Sequence, residues 1–149
     1  MNALSLLEED HKRVKKMLAE LDSTTERGVK TREELFTKLK QELEIHEAIE
    51  EEIFYPALKE HPKAKDIVLE AYEEHNVVDM VMAEIQDVAF DDERWGAKLT
   101  VMKENLEHHI EEEEGEMFKQ ARQVFEREEL EELGERMESR KQALISAAR

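Results

Sequence analysis

The chain has no cysteine, which excludes disulfides, iron–sulfur clusters and thiolate metal sites. Glycine and proline are scarce, four and two in 149 residues, so there are few points at which a helix must stop. Aromatic residues make up 5% of the chain, and Glu, Lys, Leu, Ala and Arg dominate, a composition that predicts a nearly all-α protein. No apolar stretch approaches the ~18 residues of a membrane span, and no apolar run with a cleavage site opens the sequence. These absences predict a cytoplasmic protein without a membrane partner. What abounds is negative charge, formally −17. Such a surface repels nucleic acid and attracts cations, although net charge alone specifies no site. A hydrophobic content of 40% is enough for one core in one domain.

The few breaks divide the chain into long helical segments. The first is expected over 4–22, ended by Ser23 to Gly28. Thr31, with Glu34 three residues on, predicts a capping box and a second helix to about residue 60. His61-Pro62 ends it, because proline suits a first turn and not a helix interior. A third helix is expected over 63–88 and a fourth from Asp91 or Asp92 to about 124, followed by a helical segment over 126–148 with Gly134 as a weak point. Short connections between long helices predict an all-α, up-down-up-down four-helix bundle over 1–124, with an additional C-terminal helix over 125–149.

Positions spaced alternately by three and four residues face a bundle core. On the first helix these are Leu4, Leu7, His11, Val14, Leu18 and Leu21; on the second Leu39, Leu43, His46, Glu50, Ile53 and Ala57. On the third they are Val68, Ala71, His75, Val78, Met82 and Ile85; on the fourth Leu99, Met102, Leu106, His109 and Glu113. Each stripe is apolar except at one level, where every helix supplies a histidine and the second and fourth add a glutamate. At about 1.5 Å of rise per residue, the matched arm lengths put all four histidines in one layer.

A lone histidine on an apolar face is more often a satisfied core residue than a ligand. Four of the chain's six histidines in one layer read differently. A carboxylate buried in an apolar bundle costs several kcal/mol unless something cationic meets it, and no Lys or Arg falls in the four stripes there. A metal centre meets Glu50 and Glu113; the alternative is a metal-free layer of His–Glu hydrogen bonds. His46-x-x-x-Glu50 and His109-x-x-x-Glu113 each place both side chains on one helix face. With His11 and His75 they describe a pseudo-twofold centre for two ions bridged by the glutamates. Nitrogen and oxygen ligands suit Fe, Mn or Zn.

The order His11, His46-x-x-x-Glu50, His75, His109-x-x-x-Glu113 resembles the hemerythrin-like (HHE cation-binding) domain. Glu-Asp-His at 9–11, Ile-Phe-Tyr-Pro at 53–56, Glu-Glu-His at 73–75 and Glu-Glu-Gly-Glu-Met-Phe at 113–118 add to the likeness, which covers residues 1 to about 122. The resemblance implies a non-haem di-iron centre with an oxo, hydroxo or carboxylate bridge. It implies terminal ligands His11, His46, His75 and His109 and bridging ligands Glu50 and Glu113; Glu47 matches a position that ligates in some relatives. Oxygen-carrying hemerythrins have a further histidine where this chain has Asp79, which could ligate, hold His75 or be solvated. That departure favours redox chemistry over reversible oxygen carriage. Glu-x-x-His on two helices, the ferritin-like pattern, and His-Glu-x-x-His of zinc hydrolases are both missing.

Tyr55 and Tyr72 lie near enough in sequence to neighbour the metals, although aromatic packing is the commoner role. The run 111–116 reads as mostly a solvated face, with Glu113 excepted. Leu130, Leu133, Met137 and Leu144 give the C-terminal helix an apolar side, to cover the bundle or to form a dimer. The expected function is reaction with dioxygen or peroxide, catalase- or peroxidase-like detoxification being favoured. The alternatives are non-catalytic binding or sensing of oxygen, nitric oxide or iron, and a metal-free helical interaction module.

Overall fold

The structure, a computed structural model, describes residues 1–148, and these form an all-helical bundle. Helix α1 spans Ala3–Asp22, and the Asn2 side chain caps it by accepting from the Ser5 N–H at 2.9 Å. Helix α2 (Val29–Ile49) runs without interruption through a π-turn, Glu50–Phe54, into α3 (Tyr55–Lys59). After an extended His61 and a 3₁₀ turn, Pro62–Ala64, comes α4 (Lys65–Gln86). Helix α5 (Glu93–Glu112) repeats the earlier pattern, passing through a π-turn, Glu113–Met117, into α6 (Phe118–Val124). Helix α7 (Arg127–Ala147) follows, with a Glu126–Glu129 capping box. The four rods are thus α1, α2 with α3, α4, and α5 with α6, up-down-up-down as the periodicity predicts, and α7 lies across α1 and α2.

Three local expectations need correction. The second helix starts at Val29, with Gly28 as its uncapped N-terminal residue, so Thr31 and Glu34 form no capping box. Buried Arg32 fixes this start instead. Its guanidinium donates to the Thr24 hydroxyl and the Phe90 carbonyl and lies over the Trp95 ring, drawing residues 29–31 into the helix. Gly134 is no weak point: α7 passes through it unbroken, and a Cβ there would collide with the Met1–Ala3 main chain. The inward stripe of the second rod does not continue from Ile53 to Ala57. The π-turn takes up one extra residue, so Phe54, Tyr55 and Leu58 are fully buried while Ala57 is half-buried.

The core is two apolar plugs with a polar layer between them. One plug joins Leu4, Leu7, Phe54, Tyr55, Leu58, Val68 and Phe118 to Leu130, Leu133 and Met137 of α7. The apolar side of α7 is therefore taken up within its own chain. The other plug holds Val14, Leu18, Leu39, Val78, Ile85, Trp95, Leu99 and Met102. No described helix is long and apolar enough to cross a membrane.

Candidate metal centre

The layer between the plugs contains the four expected histidines and two expected glutamates, all buried. Burial follows from phase, since each residue occupies the core-facing position of its rod. Both glutamates open a π-turn, a distortion that often accompanies functional sites in helices.

The donor atoms converge. Glu113 places Oε1 3.0 Å from His11 Nε2 and Oε2 3.3 Å from His109 Nε2. Glu50 Oε1 lies 3.1 Å from both His46 Nε2 and His75 Nε2. Each carboxylate thereby reaches both halves of the layer. These approaches are short, yet His11 Nε2, His46 Nε2, both Glu50 oxygens and Glu113 Oε1 make no hydrogen bond. Buried polar atoms are rarely left in this state. Side chains aimed at a common point, and not at one another, are what a bound cation requires. His11, His46, Glu50 and Glu113 form one group able to hold an ion, and Glu50, His75 and His109 form a second.

The outer face of each imidazole is held as well. His46 Nδ1 meets Asp10 at 2.9 Å, His75 Nδ1 meets Glu51 at 3.0 Å, His109 Nδ1 meets Glu74 at 2.7 Å and His11 Nδ1 meets Glu114 at 2.6 Å. Each rod supplies a carboxylate to the histidine of the next, and the fourth returns to the first. A neutral imidazole that donates its Nδ1–H outward presents a bare Nε2 inward, the form a metal ligand needs. Sequence reasoning overlooked these four acids, although each is next to a predicted ligand: Asp10 and Glu74 precede a histidine, and Glu51 and Glu114 follow a glutamate. Glu114 corrects the reading of 111–116 as solvated apart from Glu113.

The electrostatics show a demand for positive charge. Burial works against a charged His46, but the Glu50 charge and the Asp10 hydrogen bond outweigh it and raise the imidazole well above its ordinary value. Burial likewise opposes charge on His75 and His109, yet Glu50 and Glu51 lift the first to about 10, and Glu113 and Glu74 lift the second to about 10. For Glu113, burial acts to raise the carboxyl, but contacts with Glu50, His109 and His11 hold it well below its usual range. Protons are held on His46, His75 and His109 by the carboxylates packed against them.

The remaining expected residues fall outside this inner set or at its edge. Tyr55 is buried, and its hydroxyl donates to Glu113 Oε2 at 2.5 Å while lying 3.3 Å and 3.4 Å from Nε2 of His75 and His109. Burial first, and then the Glu113 and Glu50 charges, push this phenol well above its ordinary value, so it stays protonated. Tyr72 packs against Tyr55 with ring centres 5.3 Å apart and does not reach the layer's centre. Glu47 gathers with Glu51 and His75, beside a surface cleft of about 570 Å³ that Asp79 also lines. Burial, with Asp79 opposite, raises the Glu47 carboxyl to about 8. Asp79 is exposed and belongs to none of the ion-holding groups.

A four-rod bundle with a buried layer of histidines and glutamates defines a metal-binding helical protein. Residues 2–121 match the model of the hemerythrin HHE cation binding domain. The structure also superposes on the crystal structure of a hemerythrin HHE cation binding domain-containing protein from Mycobacterium kansasii. That match has a TM-score of 0.89 and 30% identity, and it covers 99% of this chain and 90% of the other. No curated protein matches significantly. The chain belongs to the hemerythrin HHE cation-binding family.

Proposed function

We propose that this protein binds two iron ions in the buried layer and reacts there with a small oxidant, with peroxide detoxification favoured over oxygen carriage. His11 and His46 would hold one ion and His75 and His109 the other, with Glu50 and Glu113 shared between them. The carrying observation is the set of converging, hydrogen-bond-free ligand atoms on His11, His46, Glu50 and Glu113. Four imidazoles and two carboxylates suit iron, though they also admit manganese or zinc.

Bound iron would supply the change of oxidation state that dioxygen or peroxide chemistry requires. The chain's residues do the rest. Phe54 and Phe118 of one plug, and Leu106 and Ile110 of the other, exclude bulk water from the layer. The carboxylates behind each imidazole make it a better electron donor, which favours the higher oxidation state. Tyr55 holds a proton at the edge of the His75–His109 half, within hydrogen-bond reach of a small molecule bound there. A buried layer between two apolar plugs suits molecules as small as dioxygen or hydrogen peroxide and no large substrate.

Elemental analysis of protein expressed in iron-supplied medium, combined with steady-state peroxide consumption, tests this reading. About two irons per chain and turnover faster than that of free iron are expected. Near-zero metal in a folded protein defeats the metal centre. Two irons with peroxide untouched defeat the enzymatic reading and favour oxygen, nitric oxide or iron binding.

A further inference from the structure

The four outer carboxylates are not alike. Glu51, Glu74 and Glu114 are 39%, 27% and 35% exposed, so water solvates their charge, whereas Asp10 is 1% exposed. Asp10 also divides its oxygens between two tasks. Oδ2 meets His46 Nδ1, and Oδ1 accepts from Arg13 on its own helix and from Lys141 Nζ at 2.6 Å. Lys141 belongs to α7, which supplies none of the six inner residues, and its side chain is 13% exposed. Arg13 is 42% exposed and also engages Glu42 at 2.9 Å, so Lys141 is the more buried and more dedicated partner.

A buried carboxylate without a solvated surface needs fixed donors to keep it aimed. We propose that Lys141 is a positioning residue for the metal centre: by holding Asp10 it orients His46, and so makes retention of the ion at the His11–His46 half depend on the C-terminal helix. The His75–His109 half has no such dependence, because water can solvate Glu51 and Glu74 directly. The inference rests on the two-ion reading above. It extends that reading to a residue outside the four rods and makes the two ions separable.

Arg140, the neighbour of Lys141, provides the control. It pairs with Glu52 across the same helix interface at 3.0 Å and 3.2 Å, at the surface and away from Asp10. Iron-loaded wild type, Lys141→Met, Lys141→Arg and Arg140→Met would be reduced and mixed with a chromophoric ferrous chelator, and release followed with time. Two equivalents released by wild type verify the underlying reading separately. With Lys141→Met, one equivalent should leave about ten- to a hundred-fold faster, the usual effect of losing a carboxylate–histidine support, while the other keeps its wild-type rate. Lys141→Arg should restore slow release, and Arg140→Met should match wild type. Asp10→Asn should produce the same single fast equivalent, and adding Lys141→Met to it should change nothing more, since both act through one contact. Wild-type release from Lys141→Met, equal acceleration of both equivalents, equal acceleration by Arg140→Met, or additive effects of Asp10→Asn and Lys141→Met would each overturn the proposal. If Lys141→Met fails to fold, Lys141→Gln replaces it: one fast equivalent supports the proposal, and wild-type release or two fast equivalents overturn it.

Discussion

Tyr55 and Phe118 occupy equivalent places in the two halves of the bundle. Each is the first residue after a π-turn opened by an inner glutamate, yet only Tyr55 carries a hydroxyl, which donates to Glu113 at 2.5 Å. Phe118 lies nearly parallel to His11, at 15° and 6.4 Å between ring centres. One half of the layer therefore has a proton donor beside it and the other an inert ring. Tyr55→Phe is expected to keep both metals and to lower peroxide turnover by about 10²-fold, the lower end for a lost general acid. Metal analysis and initial rates on the same preparation check it; unchanged turnover would remove Tyr55 from the chemistry.

Glu50→Ala and Glu113→Ala should each lower metal occupancy far more than Glu52→Ala or Glu111→Ala. All four are glutamates near a histidine, but the first two are buried in the layer and the others are exposed. Elemental analysis of the four variants decides, and equal losses would mean that facing the layer is not what matters.

The metal-free protein should lose stability with rising pH. His75 and His109 are raised from 6.5 to about 10 in the fold. Their protonation therefore contributes full stability below about 6.5, and this is lost as pH climbs through about 10. Metal binding replaces those protons and releases them. Melting temperatures of the metal-free form should fall across that interval while those of the loaded form change little; parallel curves would contradict the assignment.

Glu47→Gln should be relatively stabilising at alkaline pH. With its carboxyl raised to about 8, the folded state keeps a proton that the unfolded chain gives up. The resulting loss of stability grows from the ordinary carboxylate range up to about pH 8. The variant's stability relative to wild type, measured by urea titration at pH 5 and pH 9, should improve at the higher value.

Gly134→Ala should destabilise by about 1–3 kcal/mol, because the added methyl meets the Met1–Ala3 main chain and not a yielding side chain. Arg27→Ala, at an exposed loop position, serves as a reference and should change little.

The inner six residues could be read from sequence because a bundle core imposes a three–four spacing, and a polar residue in such a stripe stands out. The outer ring could not be read in the same way. Glu51, Glu74 and Glu114 are partly exposed, so their spacing resembles that of any solvated glutamate in a chain with 39 acidic residues. Only the angle at which neighbouring rods meet selects them. The π-turns were hidden for a related reason. Hydrophobic periodicity assumes a constant twist, so it carries the inward stripe on to Ala57 and gives no sign of the Tyr55 contact to Glu113. Lys141 lies on a segment whose apolar side was legible, but its partner is 131 positions away.

The circular order of the outer carboxylates has a mechanical consequence. A core packed uniformly with leucine specifies the phase of its helices only loosely. Here each rod grips the histidine of one neighbour and offers its own histidine to the other. Rotating or sliding one rod breaks two directional bonds at once and cannot be relieved by moving only the adjacent rod. The ring acts as a set of meshed gears with no free member: it fixes the helices' relative phase, and the greasy plugs above and below supply cohesion without having to supply alignment.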